Sequence, residues 1–144
     1  MTKVEFYDRE YIPEGKLTYS VINALFKDKW VLVRHRDRQT LEIPGGHIEE
    51  NETPLEAADR ELREETGASE FTIECVATYS VTTNGSTGYG RLYFAEVTEM
   101  GEQSDRFEIG EVFLMGSLPD NLTYPLIQPV LFERVIRYIQ GRPS

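Results

Sequence analysis

A single cysteine, Cys75, in a chain of 144 residues excludes an intramolecular disulfide and a cysteine-built zinc site. Its place in an expected strand makes it a core residue rather than a reactive one. The two histidines, His35 and His47, stand too far from any further histidine to suggest zinc either. No apolar run approaches the ~18 residues of a membrane-spanning helix. The first ten residues are charged where a secretory signal needs an apolar stretch. The expected location is therefore a reducing cytoplasm, with no membrane partner. Basic side chains are also scarce: 15 Lys and Arg stand against 25 Asp and Glu, a net charge of −10. Sequence-independent binding to DNA or RNA depends on neutralising many phosphates, so no nucleic-acid polymer is expected as a partner.

What is present is a globular composition. Hydrophobic residues make up 40% and charged residues 28%, enough to bury a core, and the length suits one domain over residues 1–144. Leu17–Phe26 and Trp30–Arg36 read as a hairpin, followed by the short apolar stretch Leu41–Ile43 and the breaker Pro44-Gly45-Gly46. A helix follows with clear punctuation. Thr53 is its N-cap, Pro54 suits its first position, Glu56 completes a capping box, and Gly67 stops it. Leu55, Ala58 and Leu62 form its apolar stripe. Phe71–Val81 and Arg91–Val97 read as strands around a loop, 82–90, that contains the Asn84-Gly85 turn. Glu111–Leu114 is a short strand, and Leu126–Ile139 has helical spacing with Pro129 in its first turn. This order predicts a mixed α/β layered domain.

The acidic excess is uneven. Residues 49–65 hold seven glutamates and Asp59 against only Arg60 and Arg63. At about 100° per residue, Glu61, Glu64 and Glu65 share one arc of the helix. They lie near its C-terminal end, where the macrodipole disfavours negative charge. Three carboxylates crowded there point to a bound cation.

Residues 46–68 resemble the Nudix box, G-x5-E-x7-R-E-U-x-E-E-x-G-U, where U is a bulky aliphatic residue. Gly46, Glu52, Arg60, Glu61, Leu62, Glu64, Glu65 and Gly67 fall in place, and Ala68 departs from the pattern at a packing position. Seven fixed positions match by chance roughly once in 10⁸ windows. The flanking residues 42–46 and the order of elements also look like the family. The resemblance implies an α/β/α sandwich with a mixed β-sheet, and hydrolysis of a pyrophosphate link in a nucleotide with Mg²⁺ or Mn²⁺. It further implies Glu64 and Glu65 as metal ligands, with Glu61 and the Gly45 carbonyl beside them. For the general base it favours Glu61, with Glu108 as a downstream candidate and Glu111 its competitor. Arg60 is expected to orient the acids, with Glu52 as one partner.

The substrate side is less specific. Arg34, Arg36 and Arg38 are candidates to bind substrate phosphates, or else a polar strand end. Tyr79, Tyr89, Phe94 and Phe107 could stack on a base or fill the core. The segment from His35 to Gly46 is similar to MutT-like enzymes that degrade oxidised nucleoside triphosphates such as 8-oxo-dGTP. Some of those read the base with an asparagine before the last helix; the comparable place here holds Ile127, with Gln128 and Asn121 nearby. The leading expectation is a nucleoside triphosphate hydrolase, monomer or homodimer, that yields the monophosphate and pyrophosphate. Its rivals are a pyrophosphatase for ADP-sugars or dinucleoside polyphosphates, and a silent Nudix domain that senses a nucleotide.

Overall fold

Two tight turns set the strand register. Lys27 and Asp28 (φ 52° and 63°) and Asn84 and Gly85 (φ 52° and 82°) take the left-handed conformation that two-residue hairpins require. The computed structural model describes residues 1–103 and 108–142; Phe107 lies outside them. Its elements are β1 (Thr2–Tyr7), β2 (Leu17–Phe26), β3 (Lys29–His35), β4 (Gly45–His47), α1 (Pro54–Thr66), β5 (Ala68–Thr83), β6 (Ser86–Met100), β7 (Ile109–Met115) and α2 (Gln128–Gln140). Among the described residues no helix is long and apolar enough to cross a membrane.

The seven strands form one mixed sheet in the order β1-β5-β6-β2-β3-β7, with β4 paired to β2. β2 and β6 run parallel; β1 with β5, β5 with β6 and β3 with β7 are antiparallel. Alternation along each strand sends side chains to opposite faces. One face packs Val21, Leu32, Tyr79, Leu92 and Phe94 with Leu131 and Val135 of α2. The other packs Ile22, Ala24, Val31, Tyr93 and Ala95 with Ala58 and Leu62 of α1. The fold is thus an α/β/α sandwich.

Three features differ from the sequence reading. β1 was not expected; Val4 and Phe6 alternate with polar neighbours and pack on the α2 side. The expected loop over 82–90 is ladder, because the Asn84-Gly85 turn lets Thr83 pair directly with Ser86, and Thr82 and Thr87 hydroxyls meet across it at 2.8 Å. In α1, Leu55 is 49% exposed. The buried stripe is instead Ala57, Ala58, Leu62, Glu65 and Thr66. The first turn is docked by the Ser20 hydroxyl, which donates to the Pro54 carbonyl at 2.8 Å, and leaves Leu55 outward, while a carboxylate at the last turn goes inward.

Candidate active site

β2 and β3 pair only near their turn, at Leu25 with Trp30 and Phe26 with Lys29, and the chain from Leu41 to His47 fills the gap between them. Val33 and Glu42 exchange backbone hydrogen bonds on one side. On the other, Gly45, Gly46 and His47 pair with Val21, Ser20 and Tyr19. Gly45 is required by closeness: a Cβ there would lie 2.5 Å from the Ser20 carbonyl oxygen. At Gly46 it would lie 2.2 Å from a Glu61 carboxylate oxygen. The space of the missing side chain is where Glu61 sits.

α1 is aimed at this glycine strand by its caps. Thr53 and Glu56 close the capping box, and Gly67 (φ 84°) ends the helix while its N–H donates to the Arg63 carbonyl. Glu65, 2% exposed, accepts a hydrogen bond from the Gly45 N–H at 3.0 Å. Arg60 forks onto Glu52, donating from Nε at 2.7 Å and from Nη2 at 2.9 Å. It also donates from Nη1 to Glu61 and from Nη2 to the His47 carbonyl, and lies 3.5 Å from Glu64 and 3.8 Å from Glu49. One guanidinium therefore orders four carboxylates. Its bond holds Glu52 below the usual carboxylate range. Burial pushes Glu61 up, and the charges of Glu64 and Glu108 add to this against the pull of Arg60.

A second ionic cluster lies beside the first. Glu42 is 4% exposed and meets His35 Nε2 at 3.3 Å and the Arg38 guanidinium. Burial alone would raise its carboxyl; hydrogen bonds from His35, Arg38 and Thr123 outweigh that and hold it low. The bond to Glu42 raises the His35 imidazole in turn. His35 Nε2 also comes within 4.0 Å of Glu65.

The candidate phosphate arginines part company here. Arg34 Nη1 donates to the carbonyls of His35, Arg36 and Arg38 and lies 3.9 Å from its cross-strand partner Glu111. Arg38 is taken up by Glu42 and lies over the Tyr124 ring, 5.9 Å from its centroid. The Arg36 N–H donates to the Glu108 carbonyl at 2.7 Å, and the charge of Glu108 reaches both Glu61 and His35. Glu111 is directed to Arg34, whereas Glu108 adds its charge to the environment of Glu61.

Next to the carboxylates opens a cavity of about 230 Å³, lined by Tyr19, Val21, Tyr79, Tyr124, Ile127 and Gln128 among others. Tyr19 joins the two regions. Its ring walls the cavity and meets His47 edge-on at 5.2 Å; its phenol is raised by burial and by the charges of Glu65, Glu42 and Glu61. Of the aromatic candidates, Tyr79 and Tyr89 border this cavity, whereas Phe94 is a core residue against Trp30. Tyr19 and Tyr124 were not singled out from the sequence. They reach the site through the β2–β4 pairing and a parallel bridge between Leu41 and Leu122, neither of which leaves a local signal.

The donor set suits a hard cation. Among the described residues no three acidic, histidine or cysteine side chains converge into a closed cage. Mg²⁺ does not need one, since it is usually held by one or two carboxylates together with substrate phosphates. Glu64, its side chain 45% exposed and 3.5 Å from Arg60, presents its carboxylate one residue before the buried Glu65.

Comparison with known proteins agrees with this architecture. The NUDIX domain family matches residues 16–125. YtkD of Bacillus subtilis (strain 168), a provisionally assigned 8-oxo-dGTP diphosphatase, is 38% identical over 121 residues, 84% of this chain and 75% of its own. The crystal structure of the B. subtilis pyrophosphohydrolase BsRppH superposes with a TM-score of 0.78 at 26% identity, covering 99% of this chain and 93% of that one. A NUDIX hydrolase from Nitrosomonas europaea shares the fold, with a TM-score of 0.68 at 24% identity over 90% and 93% of the two chains. The chain belongs to the Nudix family and is a hydrolase acting on phosphoanhydride bonds.

Proposed function

We propose that this enzyme cleaves a purine nucleoside triphosphate to the monophosphate and pyrophosphate, with Mg²⁺ as cofactor and a nucleotide rather than a nucleic-acid polymer as partner. The observation that carries the reading is the adjacency of two regions: a tyrosine-walled cavity and a carboxylate-bearing helix, with Tyr19 common to both. A base in the cavity directs its phosphates toward the carboxylates. The hairpin turn at Asn84-Gly85 puts residues 82–90 into the ladder and so removes that segment as a grip for a second large group, which disfavours ADP-sugars and dinucleoside polyphosphates.

Gln128 supports an oxo-purine. Its Oε1 accepts the Ile43 N–H at 2.8 Å, which fixes the amide orientation, and the residue is 5% exposed at the cavity wall. That bond leaves the Nε2 half of the amide to serve as a donor. A base presenting a carbonyl would satisfy it, and a base presenting an amino group would not. The 8-oxo-dGTP named for YtkD has that character.

The metal ligands in this reading are Glu64 and Glu65, with Glu61 and the Gly45 carbonyl alongside. The cation supplies neutralisation of phosphate charge and a more acidic water. Glu65 is preset by the Gly45 N–H, Arg60 holds Glu61 and Glu64 in register, and Tyr19 shields the inner edge from solvent. Glu61, its carboxyl raised by burial, accepts the proton of the attacking water, with Glu108 the alternative. Arg36, whose backbone is tied to Glu108, is the arginine assigned to the outer phosphates.

A panel of 8-oxo-dGTP, dGTP, dATP, ADP-ribose, diadenosine tetraphosphate and a 5′-triphosphate oligonucleotide, assayed with Mg²⁺ and Mn²⁺, tests the reading. The expected leader in kcat/KM is an oxo-purine triphosphate, with ¹⁸O from water in the monophosphate. Label in pyrophosphate would overturn the attack site. A clear lead for ADP-ribose or the oligonucleotide would overturn the substrate. Glu64→Gln and Glu65→Gln should each lose most activity, on the order of 10²-fold or more, while remaining folded; near-normal turnover by either at saturating Mg²⁺ would remove it from the ligand set.

A further inference from the structure

We propose that Arg38 is a positioning residue that ties the nucleobase cavity to the catalytic carboxylates, and not a phosphate ligand. The guanidinium has two protein partners, the face of Tyr124 and the buried carboxylate of Glu42. Tyr124 is a wall of the cavity. Beyond Glu42 the contacts continue to His35 at 3.3 Å, from His35 to Glu65 at 4.0 Å, and from Glu65 to the Gly45 N–H at 3.0 Å. The path from cavity wall to candidate metal ligand thus runs through a ring stack, an ion pair and two close approaches of His35, with both of its carboxylate residues nine-tenths buried or more.

The backbone beneath this path is stitched in the same sense. Leu41 N–H donates to the Asn121 carbonyl at 2.9 Å and Thr123 N–H to the Leu41 carbonyl at 3.0 Å. The Thr40 and Thr123 hydroxyls meet at 2.5 Å, and Ile43 N–H is held by Gln128. The segment carrying the cavity wall, 121–128, and the segment carrying Glu42 and the glycines, 40–46, therefore move together. Arg38 closes the remaining side chain to side chain gap between them. A planar guanidinium does this by stacking on a ring while donating to a carboxylate, which a lysine ammonium does poorly. A base packed against Tyr124 restrains the ring under Arg38, and through it the carboxylate that His35 shares with Glu65.

The proposal rests on the cavity being the base site, and the test separates the two ideas. Arg38→Met, Arg38→Lys, Tyr124→Leu and the double variant are assayed on whichever nucleotide of the panel the wild type turns over best. Arg38→Met is expected to lower kcat roughly three- to tenfold with KM changed less than twofold. Arg38→Lys should recover little of it. The double variant should lose less than the product of the two single losses. In parallel, ¹⁵N resonances of the His35 ring are followed in the free enzyme and on adding dGMP. They should shift in Tyr124→Leu, and dGMP should move them in the wild type but not in Arg38→Met. A tenfold rise in KM with kcat retained, multiplicative losses in the double variant and weakened binding of inorganic pyrophosphate would make Arg38 a phosphate ligand and overturn the proposal. Unchanged kinetics in Arg38→Met would overturn it equally. If dGMP does not bind the wild type, the base-site reading fails, while the His35 shift in Tyr124→Leu still decides whether the contact path is coupled.

Discussion

Glu61 is a partly buried carboxylate and Glu42 a buried one, and their surroundings push them in opposite directions. Burial raises Glu61, aided by Glu64 and Glu108, so the folded chain binds its proton more tightly than the unfolded chain. That contribution is favourable below the unfolded pKa and is lost as pH rises through the folded one. Glu61→Gln imitates the protonated form and can still accept from Arg60. Without metal it should be more stable than the wild type at neutral pH, on the order of 1 kcal/mol, with the gain vanishing as pH falls and the wild type takes up the proton. Glu42 is held low by His35, Arg38 and Thr123 despite its burial, so its stabilisation exists above the unfolded pKa and is lost as pH falls through the folded one. Glu42→Gln should therefore destabilise at neutral pH and converge with wild type in acid. Thermal melts in chelator across pH check both signs; a neutral-pH loss for Glu61→Gln would show that its bond to Arg60 outweighs its burial.

At the scale of elements, α1 depends on its stop as much as on its start. Gly67 has φ 84°, and a Cβ there would lie 2.5 Å from the Gly101 carbonyl oxygen; Gly85, with φ 82°, has nothing within 4 Å. Gly85→Ala should cost only backbone strain, about 1 kcal/mol. Gly67→Ala should cost distinctly more, roughly 2–3 kcal/mol, because the backbone of the next segment must also move. Equal losses in denaturant melts would mean that the contact at Gly101 is easily relaxed. The same helix shows why part of this protein was legible in advance. Its cap, proline, acidic arc and terminal glycine are all local, and the box residues lie within three turns and a short loop of one another. β1 carries only a weak local sign: Val4 and Phe6 alternate with charged neighbours, and two apolar positions identify a strand only once β5 pairs with it. Residues 82–90 read as a loop from sequence because threonine, serine and glycine carry no apolar alternation, although the Asn84-Gly85 turn is visible. The cavity was hidden for a similar reason: Tyr19, Tyr124 and Gln128 converge through pairings of distant segments, and only Gln128 had been placed near the site.

Over the whole molecule the acidic excess behind the charge of −10 is densest along residues 49–65, where the proposed cation binds. Arg60 alone faces Glu49, Glu52, Glu61 and Glu64, while Arg63 is occupied by Asp59. Two effects of added salt follow, and they separate cleanly. Screening relieves the general acidic repulsion, acts with any electrolyte and grows with ionic strength. The proposed binding of Mg²⁺ at Glu64 and Glu65 would act by mass action on the folded state alone, and at a concentration about 100 times Kd would contribute about 2.7 kcal/mol. MgCl₂ should therefore raise the Tm of the wild type beyond NaCl at matched ionic strength. Glu65→Gln should abolish the excess while keeping the response to NaCl, because removing one charge of ten leaves the screening nearly intact. Identical responses to MgCl₂ and NaCl in the wild type would mean that the acidic helix holds no cation without substrate phosphates, and the ligand set would then have to be sought in the nucleotide complex.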